Sequence, residues 1–69
     1  MKSDEVRRFA KNMKKFRQAK GLSQGDIHRI TDIDRAYISN LEAGKQNPTL
    51  ETIAKIAKAL DVSIGDLIK

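Results

Sequence analysis

Residues 23–42 read Ser-Gln-Gly-Asp-Ile-His-Arg-Ile-Thr-Asp-Ile-Asp-Arg-Ala-Tyr-Ile-Ser-Asn-Leu-Glu, and this stretch decides the fold. It divides into two short helices around a tight turn. Ser23 opens the first: its hydroxyl is suited to accept from a first-turn N–H, and the Asp26 carboxylate, three residues on, reaches back to the Ser23 N–H. Ile27 and Ile30 give that helix one apolar stripe at helical spacing. Thr31-Asp32-Ile33 interrupts the pattern. Asp34 then caps a second helix, with an acidic side chain at the positive end of the helix dipole. Ile38 and Leu41 repeat the apolar spacing, and Ile33, in the turn, is placed to plug the junction.

The outer side of the second helix carries Arg35, Ala36, Ser39 and Asn40. Arginine grips the O6/N7 edge of guanine with two hydrogen bonds, and asparagine pairs with adenine N6/N7. The small Ala36 and Ser39 let a helix approach bases or thymine methyls closely. These are the requirements of a helix that reads the major groove. The competing reading is a solvated helix face in an unrelated bundle. Arg and Asn alone would favour it; their place directly after a capped turn, in a basic chain, favours base reading.

Four blocks make the likeness specific: Gly21-Leu22-Ser23-Gln24, Tyr37-Ile38-Ser39-Asn40-Leu41-Glu42-Ala43-Gly44-Lys45, Asn47-Pro48-Thr49-Leu50, and Ile56-Ala57-Lys58-Ala59-Leu60-Asp61-Val62-Ser63. In this order and spacing they resemble the phage-repressor-like (XRE) helix-turn-helix family over residues 9 to 68, nearly the whole chain. Asp34-Arg35-Ala36-Tyr37-Ile38-Ser39 also looks like the recognition region of restriction–modification controller proteins. The resemblance implies a lambda-repressor-like fold and binding to double-stranded DNA as a homodimer. It also implies an ion pair between Arg17 and Glu42 that locks the first helix to the end of the third. Gln24, at the start of helix two, is implied to face the DNA backbone, and Lys45, Gln46 and Asn47 to lie along it. Tyr37 either gives its hydroxyl to a phosphate or packs its ring at the rim. Ile64, Leu67 and Ile68 either close the core or form the two-fold contact that many relatives make at this end. Two positions depart from the family pattern: His28 stands where alanine is usual, and Asp32 where glycine is usual.

Composition bounds the other readings. Sixty-nine residues are expected to form one domain, residues 1–69, with a thin core. The chain has no cysteine and one histidine, so a disulfide, a thiolate metal site or a histidine cluster is not expected, and no cofactor is called for. No apolar run approaches a membrane span and no signal peptide is evident, which fits a cytoplasmic protein. Only Phe9, Phe16 and Tyr37 are aromatic, too few for stacking on unpaired bases, so single-stranded nucleic acid is disfavoured. The net charge is +5. Residues 1–20 hold eight Lys or Arg against two acids, a net of +6, whereas residues 21–69 hold six against seven, a net of −1. Charge alone would therefore assign the polyanion contact to the first helix. A solvated basic face that steers DNA from a distance accounts for the same lysines.

In chain order, Met1 and Lys2 are expected to fray. Ser3 or Asp4 caps a first helix whose stripe is Val6, Phe9, Ala10, Met13 and Phe16, with Arg7, Arg8, Lys11, Asn12, Lys14, Lys15 and Gln18 mostly on the other side. A membrane-surface helix would share this pattern, but the rest of the chain supplies a complementary apolar surface. Gly21 stops the helix. Gly25 is unusual in a helical first turn and would give the backbone room near a phosphate. His28 reads as an interhelical histidine rather than a general base, since no nucleophile or pocket is signalled. Arg29 should point outward, to phosphate or water. Ala43-Gly44 ends helix three. Thr49 caps a fourth helix whose broad apolar face is Leu50, Ile53, Ala54, Ile56, Ala57 and Leu60. Ser63 and Asp66 form a second capping box, which opens a short fifth helix.

The expected fold is all-α, a compact five-helix bundle. The expected function is sequence-specific binding of double-stranded DNA by a homodimeric transcriptional regulator, with restriction–modification control as the leading subcase. The alternative is an antitoxin-like or other protein-interaction module with secondary DNA binding. Enzymatic chemistry lacks every usual constellation.

Overall fold

The computed structural model describes residues 3–69, and Met1 and Lys2, expected to fray, lie outside the described residues. Five helices follow one another: α1 (Asp4–Ala19), α2 (Gln24–Thr31), α3 (Arg35–Glu42), α4 (Leu50–Leu60) and α5 (Ile64–Ile68). Each starts where a side chain satisfies first-turn N–H groups. Ser3 accepts from Val6 N, Ser23 from Asp26 N, Asp34 from Ala36 N and Tyr37 N, Thr49 from Thr52 N, and Ser63 from Asp66 N. At Ser23 and Ser63 the reciprocal carboxylate bond closes a capping box.

The helix ends are equally explicit. Leu22 N donates to Arg17 O, and Lys45 N to Asn40 O, across glycines at φ 71° and 73°. These six-to-one bonds take up carbonyls that the helices leave unpaired. Asp61 makes the same turn at φ 57° without being glycine, and Asp32 ends α2 at φ 62°. Asp32 thus occupies the left-handed turn in which the family usually has glycine.

The core joins all five helices. Phe9 and Met13 of α1 meet Ile27, Ile38, Leu41, Ile56, Ala57, Leu60 and Leu67, with Phe16, Leu22, Ile33, Tyr37, Ile53 and Val62 packed around them. Ile33 plugs the α2–α3 junction as its position implies. The apolar stripes are narrower than periodicity indicates. Ile30 is 57% exposed, because it lies about 60° around α2 from Ile27. There it borders an open groove beside Lys55, Lys58 and Ala59 of α4. Leu50 is 72% exposed and Ala54 is also exposed. Four residues apart, they share a strip of α4 that turns away from the core, leaving Ile53, Ile56, Ala57 and Leu60 as the inward face.

The C-terminus divides differently from its sequence grouping. Leu67, grouped with Ile64 and Ile68 as dimer contact, is fully buried and belongs to the protomer core. Ile64 and Ile68 remain exposed. Asn12 fixes α5 from the opposite end of the chain: its amide donates to Leu67 O at 3.0 Å and Lys69 O at 3.3 Å. Asn12 is therefore half-buried, rather than part of the solvated side of α1.

Candidate nucleic-acid interface

The joint between α2 and α3 sets the direction of α3. The Thr31 hydroxyl donates to Ile27 O at 2.7 Å and accepts from Ile33 N at 3.1 Å. His28 Nδ1 lies 2.7 Å from Ile33 O, so that nitrogen carries the proton and donates. His28 thus contributes a hydrogen bond that alanine could not make, and it holds the turn rather than any substrate.

With Ile38 and Leu41 buried, α3 turns Arg35, Ala36 and Ser39 to solvent, and Asn40 is half-buried at their edge. Packing consumes none of the four candidate base-reading side chains. Asp34 Oδ2 accepts from Ala36 N at 3.0 Å and Tyr37 N at 3.3 Å, so those first-turn donors of α3 are already used. At the start of α2 the Ser23 hydroxyl takes only Asp26 N, leaving the Gln24 and Gly25 N–H groups without an intrahelical partner. The Gln24 N–H at the start of α2 is thus a donor that the helix itself does not use. Tyr37 packs its ring against the core and stays partly exposed at the rim. Lys45 and Asn47 are exposed and Gln46 half-buried in the loop after α3.

Behind this face lies an ion-pair network. Arg17 Nε donates to Glu42 Oε2 at 2.6 Å, its Nη2 to Glu42 Oε1 at 3.0 Å, and its Nη1 to Leu22 O at 2.8 Å. Both side chains are largely buried, at 12% and 4% exposure. The hydrogen bonds to Glu42 raise the Arg17 pKa above its usual value, against a smaller lowering by burial. Gln24 Nε2 donates to the same Glu42 Oε1 at 3.0 Å. The Gln24 amide is thus already oriented by α3, which leaves its carbonyl oxygen and its backbone N–H for other partners. Asp26, in the same first turn of α2, accepts from Ser23 and pairs with Arg29, and these bonds hold its carboxyl below the usual carboxylate range, the Ser23 backbone bond most strongly. Arg29, expected to meet phosphate or water, is engaged with Asp26.

Two contacts here escape a reading by spacing. One is the Gln24–Glu42 bond. The other is the seat of Arg35, whose guanidinium lies against Gly25 of α2. The only trace of the second in the sequence is a glycine where a helix former belongs. Elsewhere, Arg7, Arg8, Lys11, Lys14 and Lys15 lie exposed along the side of α1 opposite its buried stripe. Among the described residues, no group of three or more His, Cys, Asp or Glu could hold a metal ion. No helix among them is long and apolar enough to cross a membrane.

This geometry has named counterparts. A family model described as "Helix-turn-helix" matches residues 13–67. The chain belongs to that helix-turn-helix family. Control protein C.MunI from Mycoplasma sp is 38% identical over 61 residues, covering 87% of this chain and 82% of the relative. The crystal structure of the restriction–modification controller protein C.AhdI from Aeromonas hydrophila superposes with a TM-score of 0.88 at 34% identity, over 94% of this chain and 98% of that one. The controller protein C.Esp1396I, solved as a tetramer with its natural 35 base-pair operator, superposes at 0.84 with 31% identity, over 97% and 99%. Among curated relatives similar in sequence, the share of the relative that the chain spans runs from 48% for the HTH-type transcriptional regulator DdrOP3 of Deinococcus deserti to 82% for C.MunI.

Proposed function

We propose that this protein is a sequence-specific regulator of transcription that binds a two-fold operator as a homodimer, with restriction–modification control as its setting. The observation that carries this reading is the outward face of α3. Arg35, Ala36, Ser39 and Asn40 are left free by the core, on a helix capped at its start and fixed by the Arg17–Glu42 pair at its end. In this reading α3 enters the major groove and those four side chains meet base edges. Gln24, through its N–H and its pre-oriented amide, and Tyr37, Lys45, Gln46 and Asn47 hold phosphates on either side. Ile64 and Ile68 meet their counterparts across the dyad. Ile68 also lines a groove with Glu5, Val6, Phe9, Asn47, Pro48 and Ile53. Two copies then read half-sites about 34 Å apart. The protein acts by occupancy of DNA in the cytoplasm and catalyses no reaction.

Selection of bound duplexes from a random pool at about 150 mM salt, with Arg35→Ala alongside, tests the reading. An enriched inverted repeat with half-sites one helical turn apart, blurred by the substitution, is expected. Weak, salt-sensitive binding without enrichment would sink it and redirect attention to a protein partner. Ile68→Lys, followed by sedimentation, addresses the dimer separately: loss of the dimer is expected, and an unchanged dimer would place the two-fold contact elsewhere.

A further inference from the structure

Gly25 occupies a helical position for which it is poorly suited. Its φ is not positive, unlike those of Gly21 and Gly44, so no turn demands glycine there. Glycine in a helix is disfavoured relative to any ordinary residue. It is nevertheless buried, although it lies in the first turn of an eight-residue helix. What covers it is Arg35. A Cβ built on Gly25 would meet Arg35 Cζ and Nη2 at 3.4 Å and Ser23 Oγ at 3.6 Å. A methyl group would thus just touch the guanidinium, and the guanidinium lies where a longer side chain would have to extend.

Among the described residues the Arg35 side chain has no hydrogen bond or ion pair, and its contact with Gly25 is van der Waals. The guanidinium also lies at the positive end of α2, where it gains nothing from the helix dipole. Its donors are unspent. For a long side chain that must be ordered to pair with a base, prior restraint lowers the entropy lost on binding.

We propose that Gly25 is a positioning residue for base recognition: with nothing larger than a methyl tolerated at this point, the surface of α2 is the seat that holds the Arg35 guanidinium in a narrow range of poses before DNA arrives. The proposal rests on the reading of Arg35 as a base-reading side chain. It differs from the simpler view of Gly25 as room for an approaching phosphate, because it requires Arg35 to be present for position 25 to matter.

The test uses Gly25→Leu, a good helix former whose atoms beyond Cβ crowd the guanidinium, and Gly25→Ala, whose Cβ makes only ordinary contact with it. The first readout needs no DNA: NMR relaxation of the Arg35 Nε–H in the free protein. Wild type and Gly25→Ala are expected to show an ordered Nε–H, and Gly25→Leu a mobile one, with an order parameter below about 0.6. Equal mobility in all three would overturn the seat. The second readout is the ratio of Kd values for the selected operator and for a duplex changed at the base pair where Arg35→Ala loses its preference. Gly25→Leu should reduce that ratio roughly fivefold or more, Gly25→Ala should preserve it, and Gly25→Leu should have no further effect once Arg35 is alanine. Equal weakening on both duplexes, or an effect that persists without Arg35, would overturn the proposal in favour of phosphate approach. Thermal melts identify a variant that fails to fold. If wild type selects no operator, the operator-binding reading fails, while the relaxation measurement still decides the seat.

Discussion

Removing Glu42 should damage this protein far more than removing Glu42 and Arg17 together. In the Glu42→Ala variant the Arg17 guanidinium, 12% exposed, loses two of its three acceptors and keeps only Leu22 O. Breaking a buried pair from one side costs about 3–5 kcal/mol. The partial exposure of Arg17 admits some water, which places the cost near 3 kcal/mol. The Gln24 amide loses its acceptor as well, adding about 1 kcal/mol. A chain of this length is stable by about 3–10 kcal/mol, so a loss of about 4 kcal/mol is a large share of the total. It corresponds to a fall in Tm of about 15–30 °C. Glu42→Gln should be nearly as harmful, because one of its two terminal atoms becomes a donor facing the Arg17 donors. The double change Arg17→Met with Glu42→Leu removes both charges and fills the space, and should lie within about 1 kcal/mol of wild type. Urea unfolding followed by far-UV circular dichroism, at one fixed protein concentration, measures all four proteins. A single-variant cost below 1 kcal/mol, or a double variant as unstable as Glu42→Ala, would refute the assignment of this pair as a buried, mutually dependent lock.

The remaining predictions concern charge and turns. Asp26 and Asp66 both sit in capping boxes that hold their carboxyls below the ordinary value of 3.8. A depressed folded-state pKa contributes stability that is complete above the unfolded value and is lost as pH falls through the folded one. Melting temperature should therefore decline below about pH 4, with a shallower decline in Asp26→Asn; identical acid limbs would contradict the capping role. Asp32→Gly relieves a left-handed backbone at φ 62° and should raise stability by about 0.5–1 kcal/mol in the same urea assay, whereas an unchanged or lower value would show that the aspartate is not strained. Lys11→Glu with Lys14→Glu, on the exposed ridge of α1, should slow association with operator DNA roughly threefold to tenfold at low salt and leave dissociation unchanged. Stopped-flow kinetics would show a changed dissociation rate if the ridge instead touches the bound duplex.

Much of this architecture is legible in the sequence because it is local. Ser23 with Asp26, Asp34, Thr49, and Ser63 with Asp66 each act on backbone within three residues, so their spacing is enough to place the helix starts. Burial is less legible. Periodicity shows that Ile30 and Ile27 share a side of α2, and that Leu50 and Ala54 share one of α4. It does not show how far a neighbouring helix extends over that side. Leu67 has the same difficulty in reverse, since an aliphatic near a terminus is equally suited to a core or an interface until α1 is in place behind it. Long-range polar contacts are the least legible. The Asn12 amide and the Leu67 carbonyl are 55 positions apart, and the Arg17–Glu42 pair was accessible only through family resemblance. On the proposed reading face, the outward side chains of α3 follow from the pattern, whereas the bond of Gln24 to Glu42 and the contact of Arg35 with Gly25 depend on how α2 and α3 are packed.

The split character of α5 limits how this lineage can change its company. Within these five residues Leu67 is committed to the core, and Asp66, with Ser63 just before it, is committed to the cap. Only Ile64, Gly65 and Ile68 are free to vary without cost to the fold. On the two-fold contact proposed above, two duplicated copies of the gene that had to stop pairing with each other would have three positions on this helix with which to diverge. Drift at either of the other two would be removed first as a folding defect, before any effect on pairing could be selected.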